Sequence, residues 1–258
     1  MIKGIGIGLK TYANSLGLIS KLGLWKYFAI PMIISVLTAT AIGFSAYGFS
    51  DNIGGWISGL WVWNWGANVV STIAEIFGGI IIIAIGLILY KHIIMALSAP
   101  FMSPVSEKIE AYLHHGQHSH RDTSFMEQLW RGIRINLRNL GLELLLTLPI
   151  LLIGLIPVIG IISTLLLFLV QAYYAGFGNM DYTLERHFKY GESIAFVKSK
   201  RGYAIGNGIV FMLFLLIPVI GIILVLPISV TAATVQTVRL IDHHKTNPST
   251  HHQTTQLS

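Results

Sequence analysis

Seven residues occur twice in this chain, letter for letter: Ile156-Pro157-Val158-Ile159-Gly160-Ile161-Ile162 and Ile217-Pro218-Val219-Ile220-Gly221-Ile222-Ile223. Each copy interrupts a long apolar stretch, residues 142–170 and 209–235. Proline removes a backbone donor and clashes with the preceding turn, while glycine tolerates a reversed backbone. Pro-Val-Ile-Gly inside an apolar run therefore reads as the bend of a helix–turn–helix. One straight crossing of a bilayer takes about 20 apolar residues and two take about 40. Each run is too long and too broken for one crossing, yet short for two. The expectation is a hairpin that enters the bilayer, turns inside it and leaves by the same face. Two short, tilted full spans per run form the alternative. Free backbone groups cannot face lipid, so both bends should be covered by protein.

The cations test this reading. None of the 17 Lys and Arg falls in 27–90, 139–185 or 202–238. Positive residues near span ends prefer the cytoplasm. If each run crossed once, Arg186, Lys189, Lys198, Lys200 and Arg201 would lie outside. If each run folds back, all cationic side chains share one side. Both termini and residues 98–138 and 179–202 are then cytoplasmic.

The remaining polar segments are too short for a soluble domain. The chain is 53% hydrophobic and 11% charged, with mean hydropathy +0.68, whereas soluble domains carry roughly 25% charged residues. One membrane domain, residues 1–240, is expected, with a disordered His/Thr/Gln-rich tail over 241–258. The formal +6 charge reads as topology and attraction to anionic lipid or solute rather than nucleic acid. Zero Cys excludes disulfides, thiol nucleophiles and Cys-ligated metals. No cleavable signal peptide is expected, because glycines break the apolar region after Lys3.

Residues 1–26, with Lys3, Lys10, Lys21 and Lys26, suit an amphipathic helix at the interface. Gly4, Gly6 and Gly8 match no nucleotide fingerprint and read as flexible or closely packed backbone. Residues 27–49 form the first transmembrane helix. The segment 51–68, with Trp56, Trp61, Trp63 and Trp65, reads as an outer loop anchored at headgroup level. Residues 69–97 form the second span, with Glu75 near its outer end and Lys91 and His92 at the inner face. An acid in a span is a functional candidate by default.

Residues 98–141 read as cytoplasmic amphipathic helices. Ser98-Ala99-Pro100-Phe101 ends the span, and a short charged helix follows from Pro104. A second helix starts near Ser124, with Arg131, Arg134 and Arg138 on one face. That face meets phospholipid headgroups or a solute. His114, His115, His118 and His120 could hold a transition metal, but no Cys or carboxylate completes a set. Residues 142–178 and 203–238 are the two hairpins. The fold class is thus all-α integral membrane: two long transmembrane helices, two Pro/Gly-bent hemi-penetrating hairpins and interfacial amphipathic helices.

The order of these features resembles the CysZ sulfate-uptake family, within the etoposide-induced-protein superfamily. Ala99-Pro100-Phe101 with Glu107 six residues after the Phe, Asp181-Tyr182 with His187, and the stretch Pro227 to Arg239 are similar to that family. The resemblance covers roughly residues 10–240. It implies a homo-oligomeric permease carrying sulfate inward for cysteine synthesis across a bacterial inner membrane. That family binds sulfate at a Gly-x-Arg-Arg turn ahead of the first span. The matching residues here are Gly23, Leu24, Trp25 and Lys26, with Trp and Lys where the family has Arg. Helix-start amides still attract anions, but the bidentate fork is lost. Glu107, Arg131, Arg134 and Arg138 are the secondary candidates. Expected partners are sulfate or a related oxyanion, membrane lipids and further copies of the chain. No cofactor, catalytic residue or metal is expected. A non-transporting membrane scaffold or lipid-interacting protein of the same fold is the competing reading. Paired carboxylates or a nucleophile–base pair would favour an enzyme, and neither is apparent.

Overall fold

The computed structural model describes residues 1–58, 67–116, 122–154, 157–217 and 220–246. The described chain is helical: α1 (Ile2–Lys10), α2 (Ser15–Lys21), α3 (Trp25–Ser58), α4 (Ala67–Leu113), α5 (Phe125–Gly154), α6 (Pro157–Leu184), α7 (Tyr190–Ser199), α8 (Arg201–Leu215) and α9 (Ile220–Thr246). A 3-10 turn, Thr11–Asn14, joins α1 to α2. Five segments are long and apolar enough to cross a membrane: Trp25–Phe49, Ile88–Leu113, Phe125–Gly154, Gly160–Leu184 and Ile223–Thr246. This is an integral membrane protein.

Both copies of the repeat fall where one helix gives way to the next, so neither apolar run is a single helix. α5 stops at Gly154 and α6 opens on Pro157, the first-turn position where proline's missing donor costs no hydrogen bond. α8 stops at Leu215 and α9 begins at Ile220. The glycines serve a different end from the one expected. Among the described residues only Gly23 and Gly116 are glycines with positive φ. Gly160 and Gly221 instead let the two arms touch just past the turn. A Cβ on Gly221 would lie 1.8 Å from the Phe214 carbonyl oxygen, and one on Gly160 3.0 Å from that of Gly154. The expectation that both bends are covered falls on residues 155–159 and 218–220, whose side chains lie outside the described ones; just past the first bend the chain is exposed. Ile161 is 81% exposed and Ile162 67%, so in a single chain the first hairpin's end is bare.

Several boundaries move. α3 runs to Ser58, so the first part of the supposed outer loop is helix; residues 59–66, with Trp61, Trp63 and Trp65, lie outside the described residues, as do the side chains of Trp56 and Glu75. α4 continues through Ala99-Pro100-Phe101 and Pro104 to Leu113, joining the second span to the expected charged helix. α5 likewise unites the Arg-bearing helix with the first hairpin arm. Its start is as expected. Ser124 N–H donates to Glu127 Oε2 (2.8 Å) and Glu127 N–H to Ser124 Oγ (3.3 Å), a capping box. The helical end of α9 takes in residues 241–246, which the sequence reading gave to the tail. Residues 1–26 form not one helix but α1, the 3-10 turn and α2.

α8 is gripped from two sides. Gly202 and Gly206 face α1, where a Cβ on Gly206 would lie 2.4 Å from the Ile5 carbonyl oxygen. Ala204 and Gly208 face α6. A Cβ on Gly208 would lie 1.6 Å from the Ala172 oxygen, and one on Gly176 1.8 Å from that of Ala204. Small residues every four positions let helix backbones touch, the packing mode helices use where lipid offers no hydrophobic drive. On α1, Gly4 and Gly8 are buried, so close packing rather than flexibility explains them. Asn207 ties the region together. It accepts at Oδ1 from Asn179 Nδ2 (2.8 Å) and donates from Nδ2 to the Ser229 carbonyl (3.1 Å). Its own carbonyl accepts from the Tyr12 hydroxyl at 2.8 Å.

Candidate functional site

The turn at residues 22–26 is built by a glycine. Gly23 has φ +61, and the Leu24 N–H reaches back to the Ile19 carbonyl at 2.9 Å while that of Gly23 reaches Ser20 at 3.2 Å. This is a Schellman-type stop for α2. It occupies two of the four amides proposed for an anion. The N–H groups of Trp25 and Lys26 have no partner among the described residues, and they stand at the positive end of α3. Leu24 is fully buried beneath them. Trp25 is 42% exposed, and its indole Nε1 donates to Ser20 Oγ at 3.2 Å. Lys26 is exposed, its Nζ 5.3 Å from the Tyr27 ring centre. Lys108 of α4 approaches the same ring at 5.7 Å. The fold therefore brings a second cation, from 82 positions down the chain, to the turn where Trp25 stands in place of an arginine.

The other candidates part company. Arg131 is consumed: Nε and Nη2 donate to the two Asp181 oxygens (3.0 and 2.9 Å), Nη1 to the Phe188 carbonyl (2.8 Å) and Nη2 to Ser193 Oγ (2.6 Å). Arg134 is exposed and lies over the Tyr190 ring at 3.9 Å. Arg138 donates to Asn139 Oδ1 at 3.0 Å. Glu107 is half-buried, and the acid that enters the polar core is Glu110, one turn on.

Glu110 belongs to a hub organised by the end of α6. Arg186 Nη2 donates to Glu110 Oε2 (2.9 Å) and Nη1 to Ser106 Oγ (2.6 Å) and the Tyr182 carbonyl (3.0 Å). His187 Nε2 meets Glu110 Oε1 at 2.6 Å. The Tyr182 hydroxyl donates to the Met95 carbonyl at 2.6 Å, and Ser103 donates to Glu185. Three acids (Glu110, Asp181, Glu185) thus face three bases (Arg131, Arg186, His187). This is a strut that fixes α6 to α4, α5 and α7.

Burial pushes the Glu185 carboxyl up to about 7, with Asp181 adding to the rise while the Ser103 hydrogen bond, Arg186 and Arg131 oppose it. Its folded value lies above the ordinary 4.5, so the folded chain holds an extra proton between those values and stability falls as pH rises through that window. Each unit of upward displacement is worth roughly 1.4 kcal/mol. Glu185→Gln, which can still accept from Ser103, should raise the melting temperature in detergent at pH 8 and leave it nearly unchanged at pH 5. An equal change at both pH values would contradict this assignment.

A second buried cluster lies between α4 and α5. Lys91 Nζ donates to Glu143 Oε1 at 2.5 Å, and His92 Nε2 meets Glu143 Oε2 at 3.0 Å. Lys91 and Glu143 are both fully buried. Asn136 donates from Nδ2 to the Gly132 carbonyl (2.9 Å), turning its Oδ1 toward His92 Nδ1 at 3.4 Å. Lys91 is thus no exposed marker of the inner face, as the sequence suggested, but half of an internal pair. Of the His-rich loop, His114 engages Asp242 at 3.0 Å, and among the described residues no group of three or more His, Asp or Glu is placed to hold a metal. His118 and His120 lie outside those residues.

The family described as sulfate transporter CysZ/etoposide-induced protein 2.4 matches residues 12–226. The chain belongs to that family. It is 27% identical over 244 residues to a sulfate transporter CysZ of Pseudomonas aeruginosa, covering 90% of this chain and 94% of that protein. It is 32% identical over 147 residues to a sulfate transporter CysZ of Pseudomonas syringae pv. tomato, covering 55% and 57%. A CysZ-family chain is a transporter-type protein and not an enzyme. In this CysZ-family member, sequence reasoning missed Glu143, Glu110, Arg186 and Lys108. Glu143 could have been found, because it is the one acid inside the 142–170 apolar run. Lys108 could not, since only tertiary packing brings it to Tyr27.

Proposed function

We propose that this protein is an inner-membrane permease or channel for sulfate or a related divalent oxyanion, serving cysteine synthesis in a bacterium. The observation that carries the proposal is the turn at Gly23–Lys26: two unpartnered N–H groups at the start of a long helix, flanked by Lys26 and Lys108. Helix-start amides with nearby cations suit a divalent oxyanion, and the relatives named sulfate transporters supply the solute. Topologically, the reading puts both termini and this turn on the cytoplasmic face. The hairpins then enter and leave by that face. α8, with 15 residues, is about 22 Å long at 1.5 Å per residue, short of the roughly 30 Å hydrocarbon core. The apolar part of α5 beyond Asn139 has the same length. The bare apolar end of the first hairpin suits contact with lipid or with further copies in a homo-oligomer.

Radiolabelled sulfate flux into proteoliposomes, paired with calorimetric titration of sulfate, tests this. Loss of one charge-assisted partner costs about 1.5–3 kcal/mol, or roughly 10- to 150-fold in affinity. Lys26→Ala and Lys108→Ala should each weaken sulfate binding by about that factor, and Trp25→Arg should strengthen it. Equal binding in all three variants would move the anion elsewhere. No flux even with Trp25→Arg would favour the scaffold reading.

A further inference from the structure

A separate groove lies where the N-terminal helices pack against the ends of α4 and α9 and the start of α8. It has two chambers that share Ile7, Thr11 and Arg239. One, of about 490 Å³, adds Lys10, Asn14 and Leu113 among its walls. The other, of about 290 Å³, adds Lys200, Tyr203, Gln236 and His243. No carboxylate lines either chamber. Asp242, on the same helix as Arg239, is held by His114.

Two features set this groove apart from an ordinary basic surface. The side chains of Lys10, Lys200 and Arg239 form no hydrogen bond or ion pair among the described residues, unlike those of Arg131 and Arg186 in the hub. Gln236, only 2% exposed, leaves both its amide nitrogen and its amide oxygen without a partner. A buried amide left unpaired costs on the order of 1–3 kcal/mol, so an orphan beside three unpaired cations points to a group that completes them. Thr11 and Ser15 are already spent on the Gly8 and Thr11 carbonyls. The three cationic side chains and the Gln236 amide face one concavity together with the Asn14 amide, the Tyr112 and Tyr203 hydroxyls and the His243 ring, with Ile7, Leu18, Val235 and Leu240 as its apolar walls.

We propose that this groove binds a phosphate-type oxyanion, with Arg239 bridging the chambers, Lys10 and Lys200 neutralising charge and Gln236 donating from beneath. The group can be the headgroup of an anionic phospholipid, whose chains would follow the apolar walls, or a free phosphate. It is distinct from the turn at Gly23–Lys26 and does not rest on the transport proposal.

Thermal melting of the full chain in detergent, with three probes, tests the assignment. The probes are phosphatidylglycerol mixed into the micelles, phosphatidylcholine at the same fraction, and inorganic phosphate. Phosphatidylglycerol should raise the melting temperature well beyond phosphatidylcholine. Arg239→Gln and Lys200→Gln should each weaken that response about 10-fold in apparent affinity, the effect of losing a charge-assisted contact. Gln236→Leu separates ligand binding from packing. It should leave the lipid-free melt unchanged or higher while reducing the response to phosphatidylglycerol. Lys26→Ala should leave the response to phosphatidylglycerol intact. If inorganic phosphate gives a shift as large as the lipid's, and Arg239→Gln abolishes it, the source is the free anion and the site stands. If neither phosphate nor phosphatidylglycerol stabilises the wild type, or the three groove variants respond as the wild type does, the proposal fails.

Discussion

Gly208→Val is expected to leave no correctly folded protein. A Cβ at this position alone would lie 1.6 Å from the Ala172 carbonyl oxygen and 2.4 Å from its carbon. The obstacle is backbone, which cannot rotate aside as a side chain would. α6 and α8 would have to separate along the whole crossing, losing the Asn179–Asn207 contact and the matched approach at Gly176. Packed interiors do not absorb such a shift, and overpacking is costly even where side chains can give. The measurement is monodispersity after solubilisation, followed by a thermal melt. Gly6→Ala is the control. Nothing lies within 4 Å of a Cβ there, and alanine is favoured over glycine in a helix by up to about 1 kcal/mol. It should melt at or slightly above the wild type. A Gly208→Val protein melting within a few degrees of the wild type would mean that α6 and α8 do not cross as closely as described.

Glu143→Ala should be the most damaging loss of a polar side chain. It strands Lys91, which is fully buried with Glu143 as its acceptor, and removes the Nε2 contact of His92. Breaking a buried pair from one side typically costs about 3–5 kcal/mol, whereas replacing both partners by apolar groups of similar size is often neutral. The double variant Lys91→Met, Glu143→Leu should therefore recover most of the melting temperature lost in Glu143→Ala. If the double variant is no better than the single, the stranded lysine is not the cause. The same pair of proteins in the flux assay separates architecture from transport. A double variant that folds but carries no sulfate would give the Lys91–Glu143–His92 cluster a part in the pathway as well.

Local chemistry was legible in the sequence, and distant pairing was not. The repeat located both helix junctions because proline and glycine act on their own few residues. The start of α5 near Ser124 was legible too, although the Ser124–Glu127 capping pair that makes it was seen only in the structure. The purpose of Gly160 and Gly221 was misread. A glycine signals either a reversed backbone or a close approach, and only the facing carbonyl distinguishes them. Pro100 and Pro104 suggested a helix end, yet α4 runs through both, because tertiary packing on α5 and α6 outweighs the lost backbone bonds. Lys91 was placed at the inner face with no partner in view, because that partner is 52 residues away. Arg131 looked like a free basic face until Asp181, 50 residues on, claimed it. Glu143 was the one avoidable omission. An acid in an apolar run carried the signal, as Glu75 did, but the run's repeat drew attention instead.

The grip on α8 has a consequence for how the chain is made. α1 is synthesised about 200 residues ahead of the Gly202–Gly208 surface it docks on. At roughly 5–20 residues per second, α1 waits on the order of 10–40 seconds for its partner. Its alternating glycines and isoleucines are poorly suited to holding a helix alone, so the bilayer surface is its only shelter in that interval. Final closure of the bundle is then a late, long-range event, in which a helix made well before its partner is among the last to settle.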